Sequence, residues 1–186
     1  MFHKIGIRTH VVVVLACLLV HPIHSGGSRV HSATAQGPRS APALAVIVNA
    51  KNPTTGLTMA ALKYHFKLKR TYWSNKKPSR LFLRPAGSPE MDILLKEIYR
   101  VSYVRMRRDF VAQCNRGRNS YVPQPLNRDA DAIERVRKDP SAFTVIMAAS
   151  LPAKLNGIRV LSLDKKKPGE PGYPLLGKLK SQETEP

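Results

Sequence analysis

The sequence predicts an α/β fold in which a mixed or mainly parallel sheet is flanked by helices. Two observations carry that expectation. Residues Ala43 to Asn49 (Ala-Leu-Ala-Val-Ile-Val-Asn) are almost uninterruptedly apolar, the pattern of a central strand buried on both faces. Beyond them, short apolar runs alternate with segments whose apolar residues recur at helical spacing.

Ahead of that strand, residues 1–35 read as an export signal. Lys4 and Arg8 precede a ten-residue apolar run, Val11 to Val20. The run is shorter than the ~20 residues of a bilayer-spanning helix and suits a signal-peptide core. Ala33-Thr34-Ala35 offers a small-residue cleavage site before Gln36, with cleavage nearer Ser25, lipidation at Cys17 or a short uncleaved anchor as alternatives. The Gly/Ser/Pro-rich composition from Ser25 to Pro42 makes residues 36–42 a linker. The expected location is periplasmic or secreted.

The domain itself is expected over residues 43–175. Asn52-Pro53-Thr54-Thr55-Gly56 forms a loop, and a helix over 58–67 aligns Leu57, Ala61, Leu62 and Phe66. A basic loop around Trp73 leads into a strand over 80–84. Ser88 is a good N-cap, Pro89 suits the first helical position, and Glu90 and Asp92 favour a first turn. These signals predict a helix over 89–100 that buries Met91, Leu94, Leu95 and Ile98. Ser102 caps a helix over 103–114 carrying Val104, Met106, Phe110 and Val111. A further helix over 129–138 turns Ile133 and Val136 inward and is stopped by Pro140. Residues 143–147 and 158–163 are the last strands, with Asn156-Gly157 as the turn before the second. The tail 176–186 is expected to be disordered.

Charge and composition narrow the function classes. The 186-residue chain has a net charge of +19, which attracts nucleic acid, anionic lipid or acidic polymer non-specifically. A basic proteome or a merely solvated basic surface is the plainer explanation. Lys63, Lys67, Lys69, Arg70, Lys76, Lys77 and Arg80 form one cluster, Arg105, Arg107, Arg108, Arg116 and Arg118 another, and Lys165 to Lys167 a third. Tyr64, Phe66, Tyr72 and Trp73 interleave the first cluster at spacings that suit core anchors better than base-stacking platforms. No zinc-finger spacing or RNA-binding signature supports specific readout of nucleic acid. With Cys17 in the leader, Cys114 stands alone and reads as a small buried hydrophobe, so the core rather than disulfides must hold the domain. Five of the six histidines precede residue 43, leaving His65 inside a Tyr-His-Phe run, where a structural role is commoner than metal ligation. No nucleophile–base pair or paired carboxylates are apparent, so no enzyme is expected and no cofactor is implied.

One candidate site remains. Arg84 lies four residues before Ser88, and a helix start beside a guanidinium is suited to an oxyanion. The plainer reading is a capped helix and a solvated arginine.

The order of these features resembles phosphate-type periplasmic substrate-binding proteins. Leu57-Thr58-Met59-Ala60-Ala61-Leu62-Lys63-Tyr64-His65-Phe66, then Tyr72-Trp73-Ser74-Asn75-Lys76-Lys77-Pro78, looks like that family's helix ending in Phe, basic turn, Trp and polar turn. Arg84 and Ser88 match its Arg and Ser before the ligand-cradling helix. Asp139-Pro140-Ser141-Ala142-Phe143-Thr144-Val145-Ile146 resembles its later Pro-Gly-Ala-Ile-Gly-Tyr strand, and Pro171-Gly172-Tyr173-Pro174-Leu175 the ending of short exported members. The resemblance covers roughly residues 43–175 and implies a single periplasmic-binding-protein-like lobe. It further implies phosphate or a related oxyanion held by Arg84, Ser88 and the loop hydroxyls of Thr54 or Thr55, with an inner-membrane transporter or sensor as partner. Three departures weaken that grip. Ser88-Pro89-Glu90 stands for Ser-Gly-Thr, which removes a backbone donor and a hydroxyl and adds a carboxylate. Thr144 and Val145 replace the later Gly and Tyr. The chain also has residues for about one lobe, where two normally close around the ligand. The alternative is a non-transport module that reused the fold to engage a protein or anionic polymer through its basic face.

Overall fold

β1 (Leu44–Asn49) is the spine of the molecule, and Leu44 to Val48 are all inaccessible to solvent. Its side chains alternate between two cores, as the period of a strand requires. Leu44, Val46 and Val48 enter the larger one, Ala45 and Ile47 the smaller. This computed structural model describes residues 42–177. The expected signal segment, residues 36–41 of the linker and residues 178–186 of the tail lie outside the described residues.

Four strands form a sheet in the order β3 (Arg80–Leu81), β4 (Ala142–Met147), β1, β5 (Ile158–Val160). β1 runs antiparallel to both β4 and β5, and β3 runs parallel to β4, so the sheet is mixed. The expected last strand over 158–163 divides at Leu161. Ile158–Val160 pairs with β1, whereas β6 (Ser162–Leu163) turns away to pair in parallel with β2 (Gly56–Leu57). The expected 80–84 strand has regular pairing only at Arg80–Leu81.

Helices cover both faces. α1 (Met59–Phe66), α2 (Pro89–Leu94) and α3 (Tyr103–Asn115) supply Leu62, Phe66, Met91, Leu94, Met106 and Phe110 to the larger core. α4 (Asp129–Lys138) supplies Ala132 and Val136 to the smaller one. Ser88 and Ser102 cap as expected, their hydroxyls accepting from the N–H groups of Met91 and Arg105. α2 does not continue as an α-helix to residue 100. It passes into a π-helical turn, Leu95–Tyr99, which ends at Arg100 in the left-handed region (φ 58°).

Several side chains expected inside are outside. Val104 and Val111 are 58% and 44% exposed, because Met106 and Phe110, one turn apart, claim the inner face of α3. Tyr64 and Tyr72 are also exposed, whereas Phe66 and Trp73 are core anchors. Cys114 is free and half-buried rather than buried.

His65 is a packing element. Its Nδ1 lies 3.1 Å from Ser79 Oγ, and its ring stacks on Trp73 at 4.7 Å. Burial, aided by the positive charge of Arg70, lowers its pKa to about 4, so the ring is neutral at pH 7. The end of the described chain returns to the spine. Tyr173 OH donates to Leu44 O at 2.7 Å, and the N–H of Gly177 donates to Pro42 O at 2.7 Å.

Candidate functional site

Beyond β3 the chain stays extended, with Phe82 N–H on Phe143 O and Leu83 N–H on Gln124 O. That path carries Arg84 toward the start of α4. Its Nη2 donates to Oδ1 of Asp129, the first residue of α4, at 2.5 Å. Oε1 of Glu90, in the first turn of α2, lies 3.5 Å from the same nitrogen. Two helix starts therefore aim carboxylates at one guanidinium, and each carboxylate also suits the positive end of its helix. Arg84 and Glu90 are 4% and 5% exposed, while the Asp129 side chain keeps 28% of its surface.

Chemically, this arrangement is an anion site whose anions are the protein's own. A charge-assisted contact of 2.5 Å is the kind a phosphate oxygen would make with the same fork. Two carboxylates already exceed the charge of one guanidinium, so an incoming dianion meets repulsion unless it displaces Asp129. Arg84 Nε and Nη1 are buried without a hydrogen-bond partner in the structure. Only one corner of the fork is in use.

Ser88 stands at the correct place in the chain for the site, but its groups are engaged. Its hydroxyl accepts from Met91 N–H at 3.2 Å, its carbonyl from Asp92 N–H at 3.0 Å, and Pro89 has no N–H to offer. The capped-helix expectation for Ser88 is what the structure contains. The solvated-arginine expectation for Arg84 is not.

Thr54 and Thr55 are not brought to Arg84. Val48 of β1 and Leu81 of β3 both pair with Phe143, but β1 and β3 run in opposite directions. The loop after Asn49 therefore leaves one end of the sheet, and Arg84 leaves the other. Thr54 is half-buried with its Oγ1 unpartnered, and its N–H donates to Asn52 Oδ1 at 3.0 Å. Thr55 is exposed, and its carbonyl accepts from Ser162 N–H at 3.1 Å. Thr55 serves the β2–β6 corner, and Thr54 the turn before it.

Asp129 is the residue that sequence reasoning missed. It reads as an acidic first-turn residue, and no local pattern ties it to an arginine 45 positions away. Glu90, by contrast, was expected beside the anion position. Among the described residues, no group of three or more His, Cys, Asp or Glu side chains is placed to hold a metal. No described helix is long and apolar enough to cross a membrane. A cleft of about 780 Å³ lies elsewhere, between the turn after α1 and the outer half of α3, and includes Lys67, Lys69, Arg105, Arg116 and Arg118 in its walls.

No protein-family model and no curated protein matches the chain. Solved structures do match its fold. A protein assigned as a phosphate ABC transporter substrate-binding protein from Clostridium perfringens, solved with bound phosphate, is 15% identical at a TM-score of 0.53, with 68% of this chain and 46% of that one covered. An ABC-type phosphate transport receptor from Vibrio cholerae is 19% identical at 0.54, covering 68% and 48%. PstS from Borrelia burgdorferi is 14% identical at 0.55, covering 68% and 49%. The chain thus spans about half the length of these proteins. At such identities the likeness is one of fold: a mixed α/β domain matching part of a phosphate-type binding protein, consistent with a single lobe.

Proposed function

We propose that this chain is an exported, non-catalytic binding domain that has kept one lobe of the phosphate-type fold, closed its anion position with its own carboxylates, and engages anionic polymers through its basic exterior. The observation that carries this reading is the 2.5 Å contact of buried Arg84 with Asp129, backed by Glu90. With the buried guanidinium spent internally, the cations still free for a partner are on the surface. Such binding is driven by counterion release and must weaken as salt rises.

A second reading is favoured by the matching structures, which include a phosphate-bound transporter substrate-binding protein and a phosphate transport receptor. In it the domain holds phosphate or a related oxyanion at Arg84 and Ser88, for uptake or sensing with a membrane transporter or sensor. It requires Asp129 to leave the guanidinium. Titration with long-chain polyphosphate separates the two. The polymer reading expects affinity to fall about 20-fold between ~50 and ~200 mM salt for three neutralised charges, with orthophosphate a poor competitor. Saturable orthophosphate binding at low concentration, little affected by salt, favours the second reading.

Export has its own test. The basic start and apolar run predict a mature protein beginning between Ser25 and Gln36. N-terminal sequencing of the exported protein checks it, and an intact Met1 on protein recovered from the cytoplasm would overturn it.

A further inference from the structure

The cleft between the turn after α1 and the outer half of α3 gathers several unpaired cations around one concavity. Some arginines elsewhere are anchored to protein oxygens, Arg84 to Asp129, Arg107 to Pro123 O, Arg128 to Asp131, Arg137 to Asn156 O and Arg159 to Asn52 O, while Arg70, Arg100 and Arg108 are unpaired among the described residues but lie outside the cleft. Around the cleft, Lys67, Lys69, Arg116 and Arg118 make no side-chain hydrogen bond or ion pair among the described residues. The one carboxylate in its wall, Asp109, is held by Arg105 at 3.2 Å. Helix C-termini attract cations on their own account. Yet none of these four side chains bonds a helix carbonyl, so that attraction leaves their donors free.

The floor restricts what the cations can serve. Tyr99, Met106 and Phe110 are buried there. The Tyr99 ring packs edge-on against Phe66 and Phe110, and its hydroxyl donates to Phe66 O at 3.0 Å. No aromatic face is offered to a base, which argues against single-stranded nucleic acid. The walls are fixed in place by left-handed turns at Leu68 (φ 54°) and Arg100 (φ 58°), each closed by a backbone hydrogen bond. What the cleft presents is a set of unpaired donors around a volume of about 780 Å³. Ligands made of little but closely spaced oxyanions match it, and guanidinium forks pair with phosphate oxygens two at a time.

We propose that this cleft binds a linear oligophosphate through Lys67, Lys69, Arg116 and Arg118. The proposal rests on the polymer-binding reading and gives it a location and a ligand class. Calorimetric titration of the purified chain with sodium tripolyphosphate tests it, with orthophosphate and a heparin-derived tetrasaccharide alongside. Tripolyphosphate should bind at least about tenfold more tightly than either. Arg116→Glu with Arg118→Glu should weaken it about tenfold or more, whereas Arg116→Lys with Arg118→Lys should retain most of the affinity. Lys51→Glu with Lys154→Glu makes the same change in net charge at exposed positions outside the cleft, and should stay within about twofold. All these positions are exposed, so unchanged circular dichroism is expected. Equal losses in the cleft and control variants would overturn the cleft while leaving polymer binding intact. A tetrasaccharide that outbinds tripolyphosphate would overturn the ligand class. Absence of any polyphosphate binding at low salt would overturn both the cleft and the reading beneath it.

Discussion

Arg84→Met should destabilise the domain by about 3–5 kcal/mol, the cost of breaking a buried ion cluster from one side. The penalty comes less from the lost contacts than from what stays behind. Glu90 is 5% exposed, and Arg84 is the cation facing it at 3.5 Å. Removing the guanidinium leaves a carboxylate in a site with little water to solvate it. Arg84→Met combined with Glu90→Met should therefore recover most of the loss, because two apolar side chains of similar length can fill the site without an unpaired charge. Asp129, with 28% of its side chain exposed and a helix start to stabilise it, tolerates the loss better than Glu90. Urea unfolding of the single and double variants checks this. A single-variant cost below about 1 kcal/mol would mean that the cluster does not hold the starts of α2 and α4 together.

A loss of similar size is expected for Phe143→Ala, about 3–5 kcal/mol. Phe143 is 1% exposed, and three rings meet it edge-on: Trp73 at 5.3 Å, Phe66 at 5.5 Å and His65 at 5.9 Å. Its backbone also sits where β1, β4 and β3 share one line of pairing. Truncation thus opens a cavity at the point where the sheet, α1 and the Trp73 loop are joined. Phe143→Leu keeps most of the volume and should cost under about 2 kcal/mol. Thermal unfolding distinguishes them, and equal costs for the two variants would show that ring volume is not what joins these elements.

The elements legible in the sequence are those set by local chemistry. Ala43 to Asn49 announces a doubly buried strand because its apolar run, broken only by the final Asn49, leaves neither face a polar stripe. Ser88-Pro89-Glu90 and Ser102 announce helix starts because their side chains satisfy orphan N–H groups nearby. The helix at 129–138 has the bounds its acidic start and Pro140 dictate. What escaped depends on partners distant in the chain. The direction of β1 against β4 is a property of the connections between them, and both directions suit an all-apolar run. The run 158–163 divides because Leu161 N–H still reaches Val46 O on the spine, whereas Ser162 N–H already belongs to Thr55 O. The same limit applied at the site. Glu90 was legible beside Ser88, but the pairing of Arg84 with Asp129 crosses 45 residues, and an aspartate at a helix start satisfies its local role without it.

Calorimetric titration of the chain with orthophosphate addresses the closed anion position most directly. With Asp129 and Glu90 on the Arg84 guanidinium, no saturable heat is expected below about 1 mM ligand, equivalent to a binding free energy weaker than about −4 kcal/mol. A one-to-one transition at micromolar orthophosphate that persists in Arg116→Glu with Arg118→Glu would contradict it, and would mean that the phosphate displaces Asp129 from the guanidinium.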